Sequence, residues 1–150
     1  MGRFKFRLAT LLKLREATRD ERRGQLAEAY RADDAVRGQL DSVAGELRRL
    51  ENHRREATRP GTVDVDHLVD SQRYELVMRS MQSQFRQQRK TLGAEIERRR
   101  QALVAADREV RVLENLRQRQ ADSHRQEENR LEIKNLDEVA VQLAAREAAR

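Results

Sequence analysis

The stretch RPGTVDVD, residues 59–66, decides the fold because it interrupts a sequence that predicts helix on both sides. It contains Pro60, the only proline of the chain, which lacks a backbone N–H and disfavours the α conformation in the residue before it. Gly61 can adopt a positive φ that reverses the chain, and Asp64 or Asp66 can cap the following helix. One break between two long helices predicts a helical hairpin.

The composition is typical of long helices rather than of a compact globule. Of 150 residues, 39% are charged and 37% hydrophobic, with only 3% aromatic and no cysteine. Periodic apolar positions favour a coiled coil over disorder, the other interpretation of so polar a chain. The lack of cysteine excludes a disulfide framework and fits a reducing compartment. The sequence has no run of about 18 apolar residues, so it predicts no membrane span.

A heptad pattern predicts that the first segment, about residues 3–57, is a coiled-coil helix. Its apolar positions alternate steps of three and four, which keeps one stripe turned toward a partner helix. This stripe comprises Leu26, Ala29, Asp33, Val36, Leu40, Val43, Leu47 and Leu50. Toward the N-terminus the same register meets three arginines, where we expect the loosest packing: Arg22, Arg19 and Arg15.

The second segment, about residues 66–147, repeats the pattern over a greater length. Its stripe comprises Tyr74, Met78, Met81, Phe85, Gln88, Leu92, Ile96, Arg99, Leu103, Ala106, Val110 and Leu113. Two successive steps of four around Leu92 predict a stutter that locally unwinds the supercoil. Residues 117–130 hold no large apolar side chain, and a last amphipathic set follows: Leu131, Ile133, Leu136, Val139, Ala140 and Leu143.

These lengths predict an all-α fold: one elongated antiparallel coiled-coil domain over residues 1–150, with a turn at about 58–65 and an overhanging second helix. The two helices would span roughly 80 and 120 Å. Opposed residue numbers should sum to about 123, so nearly everything after about residue 120 projects beyond the first helix. The apolar face of residues 131–143 would have no partner in α-helical pairing, and residues 4–14 hold more apolar side chains than the pairing needs. Both lie at the end of the hairpin away from the turn, so we expect binding there, at the open tip.

The residue types needed for catalysis or metal binding are scattered or missing. The three histidines, His53, His67 and His124, have no spacing that places two of them on one helix face. The sequence also has no Gly-rich phosphate loop. We therefore expect no enzyme, no cofactor and no metal site.

Charge allows two further hypotheses. The chain has 32 Lys and Arg against 26 Asp and Glu, well interspersed, which is typical of salt-bridged helix faces. Basic runs such as Arg98–Arg100 would suit nucleic acid. These runs have acidic neighbours, and aromatic side chains that could stack on bases are scarce, so we expect no nucleic-acid binding. The basic amphipathic residues 1–14 could also lie on a membrane surface.

The two ends of the chain carry a family resemblance. Residues 4–16, FKFRLATLLKLRE, hold an aromatic pair followed by a leucine-rich turn, and residues 117–140 are RQRQADSHRQEENRLEIKNLDEVA. Together with the start of the second helix they resemble the FliJ family of flagellar type III export proteins. The best-matching positions are Arg119, Gln120, Glu128, Asn129, Arg130, Leu136, Asp137, Glu138 and Ala140.

The resemblance implies a coiled coil similar to the central stalk of rotary ATPases. Such a protein binds and activates the hexameric export ATPase, links it to the membrane export gate and helps to recycle export chaperones, in the cytoplasm at the flagellar base and peripherally at the inner membrane. The ATPase-binding tip would comprise Phe4, Phe6, Leu8, Leu11, Leu12, Arg15, Arg119, Gln120, Asn129, Arg130, Leu136, Asp137, Glu138 and Ala140.

The resemblance also places an export-gate contact on one face of the second helix, at Tyr74, Met78, Met81 and Phe85. Their steps of four, three and four equally suit packing inside the hairpin. The alternative function is a passive coiled-coil adaptor or tether that has no effect on an ATPase.

Overall fold

Two long α-helices make up the structure, a computed structural model that describes residues 4–58, 60–61 and 63–149. Helix α1 spans Ala9–Ala57 and helix α2 spans Val65–Ala148, with 49 and 84 residues. The helices pack against each other, and the described residues form no strand. The predicted all-α hairpin with a longer, overhanging second helix is confirmed.

The turn between the helices uses the predicted residues. Gly61 has a φ of +135°, a region that favours glycine. Asp64 caps α2, because its Oδ1 accepts a hydrogen bond from the backbone N–H of His67 at 3.2 Å. The Thr58 hydroxyl donates to the Arg54 carbonyl at 2.9 Å and so occupies an acceptor at the end of α1. Arg59 and Thr62 of the quoted stretch lie outside the described residues.

The first helix begins later than the sequence indicates. We expected it from about residue 3, whereas α1 begins at Ala9; residues 1–3 themselves lie outside the described residues. Phe4, Lys5 and Phe6 have no regular secondary structure. The Phe4 ring instead packs against the imidazole of His124 on α2, with ring centroids 5.8 Å apart. Phe4 and His124 are far apart in the sequence, so the spacing of apolar residues could not predict this contact.

The chain divides into two compact units, each with α1 and α2 side by side. One comprises Glu21–Leu103 and includes the turn; the other comprises Met1–Asp20 and Val104–Arg150. We call the interface between α1 and α2 within a unit the seam.

In the unit Glu21–Leu103, the stripe predicted for α1 is buried or half-buried at every position from Leu26 to Leu50. On α2, Met78 is buried, and most of the other predicted positions are half-buried; Tyr74 and Gln88 are exposed. Ion pairs and hydrogen bonds across the seam show an antiparallel arrangement: Asp33 with Arg89, Gln25 with Arg99, and Arg54 with Glu75. Their residue numbers sum to 122, 124 and 129, close to the predicted value except beside the turn.

In the unit that contains both chain ends, the buried side chains are Leu12 on α1 and Ala106 and Val110 on α2. Val110 is only 1% exposed. Arg15 forms an ion pair with Glu109 across the seam at 2.8 Å. Because this pair sums to 124, the predicted register also holds here.

Candidate functional site

The C-terminal segment, residues 131–149, is an amphipathic helix that nothing else in its unit covers. All of these residues are exposed, although the segment continues α2 to Ala148. Ile133, Leu136, Ala140 and Leu143 follow steps of three, four and three, so they share one face. The exposed large apolar side chains of the segment are Leu131, Ile133, Leu136, Val139, Val141 and Leu143.

Helix α2 stays partly shielded for longer than we predicted. We expected nearly everything after about residue 120 to project beyond α1, whereas Ala121, Asp122, His124 and Glu128 are half-buried. The Phe4–His124 contact shows that the non-helical start of the chain packs beside this part of α2. The unpaired stretch therefore begins close to Asn129.

The start of the chain, residues 4–15, which we call the tip segment, combines packed and exposed apolar side chains. Leu12 is 5% exposed and belongs to the interior of its unit, while Phe4 and Phe6 are half-buried. Leu8 and Leu11 are partly exposed, with 38% and 36% of their surface accessible. Leu14, which the site prediction omitted, is 61% exposed.

The polar residues predicted for the ATPase-binding tip fall into two groups. Arg15 is engaged by Glu109. The others are exposed, and none has a side-chain hydrogen bond or ion pair to another residue that the structure describes: Arg119, Gln120, Asn129, Arg130, Asp137 and Glu138. Exposed guanidinium, amide and carboxylate groups beside aliphatic side chains suit a polar rim around an apolar protein contact.

The structure brings the two ends of the chain together at one point, Phe4 against His124. His124 also lies 3.5 Å from the Glu128 carboxylate through Nδ1. Sequence reasoning assigned His124 no contact, because a lone histidine in a polar stretch predicts none. It also missed Val141, which is 68% exposed but lies off the face of Leu136 and Leu143.

The predicted export-gate face lies within the unit Glu21–Leu103 and is mostly shielded there. Met78 is 9% exposed, Met81 and Phe85 are half-buried, and Tyr74 is 43% exposed. Outward-facing apolar side chains nearby were not predicted: Val65, Val69, Leu76 and Val77.

Ion pairs line the seam of the same unit next to the gate face. The Glu75 carboxylate binds Arg79 at 2.8 Å and Arg54 at 2.6 Å. The hydrogen bond from Arg79 is the main cause that holds the pKa of Glu75 below its ordinary value. Arg54 belongs to α1 and both other residues to α2, so this cluster ties the helices together near the turn.

Two classes of site find no support in the described part of the chain. No group of three or more histidine, aspartate or glutamate side chains is placed to hold a metal ion there. Neither α1 nor α2, over the residues described, contains a stretch long and apolar enough to cross a membrane.

These features define a class: a two-helix antiparallel coiled-coil protein whose longer helix leaves an amphipathic end exposed. The family described as "Flagellar FliJ protein" matches residues 4–149, nearly the whole chain. The chain belongs to the FliJ family, as its two end sequences indicate, and is thus a flagellar export-related coiled-coil protein. No curated protein and no solved structure matches it.

Proposed function

We propose that this protein is the stalk-like component of a flagellar export apparatus, one elongated domain that binds and activates the hexameric export ATPase. The single observation that carries this proposal is the uncovered face of the C-terminal segment, where Leu136 is 68% exposed in a chain that belongs to the FliJ family. The tip segment and the exposed polar residues near Asn129 would complete the contact.

Burial of aliphatic surface supplies the free energy for such a contact. Full burial of a leucine or isoleucine side chain stabilises by about 1.5–3 kcal/mol. Four large side chains lie near the shared face: Ile133, Leu136, Val139 and Leu143. Burial of these groups would offset part of the entropy that the two partners lose on association.

Export-gate coupling and chaperone recycling belong to the same proposal. Tyr74 supports the gate contact best of the four predicted residues because its side chain is accessible without any rearrangement. Met78 could reach a partner only if the seam opened. We place the protein in the cytoplasm at the flagellar base, held peripherally at the inner membrane by the gate rather than by a span of its own.

The proposal is tested by the rate of ATP hydrolysis by the purified cognate export ATPase, titrated with the full chain while ring formation is followed. We expect a rise in rate together with hexamers. Leu136→Asp should abolish stimulation because it places a charge in the contact face. The matched control Gln142→Asp adds the same charge on the opposite side of the same segment and should leave stimulation intact.

Circular dichroism of both variants separates a binding defect from a folding defect. Position 136 is exposed, so helical content should remain that of the unmodified chain. Phe4→Ala should also reduce stimulation, since it releases the tip segment from His124. No stimulation by the saturating unmodified chain would instead favour the passive coiled-coil adaptor.

A further inference from the structure

A heptad seam does not by itself fix the register of two helices. When one helix slides by seven residues, apolar stripes meet again, so similar packing recurs at several registers. In the unit Glu21–Leu103, three charged side chains away from the turn nevertheless form bonds across the seam: Asp33, Arg89 and Arg99. A charged group inside a seam makes one register different from all others.

Arg99 occupies a predicted seam position of α2, and its side chain is 31% exposed. Its guanidinium donates to the Glu95 carboxylate at 2.6 Å and to the backbone carbonyl of Gln25 on α1 at 2.5 Å. A helix carbonyl retains a second lone pair for such a donor. Ala29, one turn further along α1, is 3% exposed, and its small side chain leaves the guanidinium a path to the backbone.

Arg89 and Asp33 form the second tie. The guanidinium donates to both carboxylate oxygens, at 3.0 and 3.3 Å, in a two-pronged arrangement that depends strongly on relative position. The Asp33 side chain is 21% exposed, so few water molecules could replace the arginine. Both ties agree on one register, since their residue numbers sum to 122 and 124.

Sliding α2 by one heptad would remove both ties. Asp33 would then face Ile96 or Gln82 in place of Arg89, and the backbone at Gln25 would face Ala106 or Leu92 in place of Arg99. Asp33 would then lie in the seam without Arg89, and Arg99 would keep Glu95 but lose its bond to α1. The apolar stripe alone imposes no comparable penalty.

The seam also opens into a groove beside the Asp33–Arg89 tie. This groove of about 370 Å³ is lined by Val36, Gln87, Gln88, Thr91 and Leu92, where the predicted stutter falls. Gln88 is exposed there, so apolar packing contributes little to the register at this point.

We propose that Asp33, Arg89 and Arg99 set the register of the hairpin. The apolar stripe stabilises the association of the helices, and the polar ties select which residues face each other. This role concerns the chain alone and does not depend on the ATPase or on any other partner.

The register can be measured by electron–electron distance spectroscopy. The chain has no cysteine, so Arg37→Cys and Arg73→Cys provide the only two labelling sites. Both arginines are exposed. In the observed register they are offset by about 20 Å along the helices, and a slide of one heptad changes this offset by about 10 Å. The labelled chain is diluted with unlabelled chain, and we expect one narrow distance distribution.

Two variants remove the ties in this labelled background. Asp33→Leu/Arg89→Leu/Arg99→Leu makes the seam apolar, and Asp33→Asn/Arg89→Gln/Arg99→Gln keeps side-chain size without charge. Each should retain helical content and show a second distance population displaced by about 10 Å. If the leucine variant does not fold, the distance distribution of the amide variant tests the proposal.

Two further variants serve as controls. Glu51→Gln/Arg55→Gln removes an ion pair within α1 and should keep the single distance. Asp33→Arg/Arg89→Asp exchanges the partners and should also keep it, because the tie is restored in the same place. A single unchanged distance in both charge-free variants would overturn the proposal. So would a loss of helicity in both, which would make the ties necessary for folding rather than for register.

Discussion

Two stretches with the same three–four apolar pattern differ in their surroundings: residues 36–50 of α1 and the C-terminal segment of α2. In the first, Val43 is 5% exposed; in the second, Leu136 is 68% exposed. Both are continuous α-helix. The pattern therefore predicts the helix and its apolar face. Whether that face is buried depends on whether another part of this chain packs against it.

The C-terminal segment can remain helical without a partner for a local reason. It continues a helix that is already nucleated, and adding a residue to an existing helix is far easier than starting one. Its last part is rich in alanine, the strongest helix former: Ala140, Ala144, Ala145 and Ala148. The apolar face of this segment is thus already helical without a partner and would need little ordering if a partner bound.

The largest effect is expected when a charge enters the shielded side of α2. Val110 is 1% exposed, so Val110→Asp should destabilise the chain by about 3 kcal/mol or more. Val112 is 66% exposed, two positions along the same helix, and Val112→Asp should change stability by only about 0.5 kcal/mol or less. Thermal unfolding followed by circular dichroism measures both; equal effects would contradict the packing described.

An intermediate effect is expected on the predicted gate face. Met78→Ala should cost about 2 kcal/mol because it leaves a space in the seam, while Tyr74→Ala should cost much less. Urea unfolding of the two variants provides the comparison. In gate-binding assays we expect Tyr74→Ala to weaken the complex at unchanged stability; intact binding would show that this face serves only the seam.

The smallest effect is expected from Glu75. Its pKa is lowered in the folded protein, so its contribution to stability is present above its ordinary value of 4.5 and is lost as the pH falls through the lowered value. Glu75→Gln should therefore lower the melting temperature slightly at pH 7. The difference from the unmodified chain should close at pH values well below 4.5. A constant difference across this range would rule out the ion-pair explanation.

Local chemistry made much of the fold predictable. Pro60, Gly61 and Asp64 act within a few residues of themselves, so the turn and the cap could be read from the sequence. The turn position predicted an approximate antiparallel register near 123, and the bonds of Asp33 and Arg15 agree with it. The excess length of α2 then indicated an exposed end.

Contacts between distant residues that do not follow from the heptad register were not predictable. Helix periodicity could not show that Phe4 leaves the helix to pack on His124, or that Arg99 bonds to a backbone carbonyl of α1. Nor could it separate Leu12, which is buried, from Leu14, which is exposed, within one leucine-rich turn. These outcomes depend on which side chain of the opposite helix is near, and no residue spacing within one helix contains that information.

The most direct test of the central claim is amide hydrogen exchange of the full chain with and without its export ATPase. We predict that amides of residues 131–143 exchange faster than those around Val110 in the isolated chain and become protected in the complex, together with part of the tip segment, while those around Val110 change little. Unchanged exchange across 131–143 at saturating ATPase would contradict the assignment of this face as the docking surface.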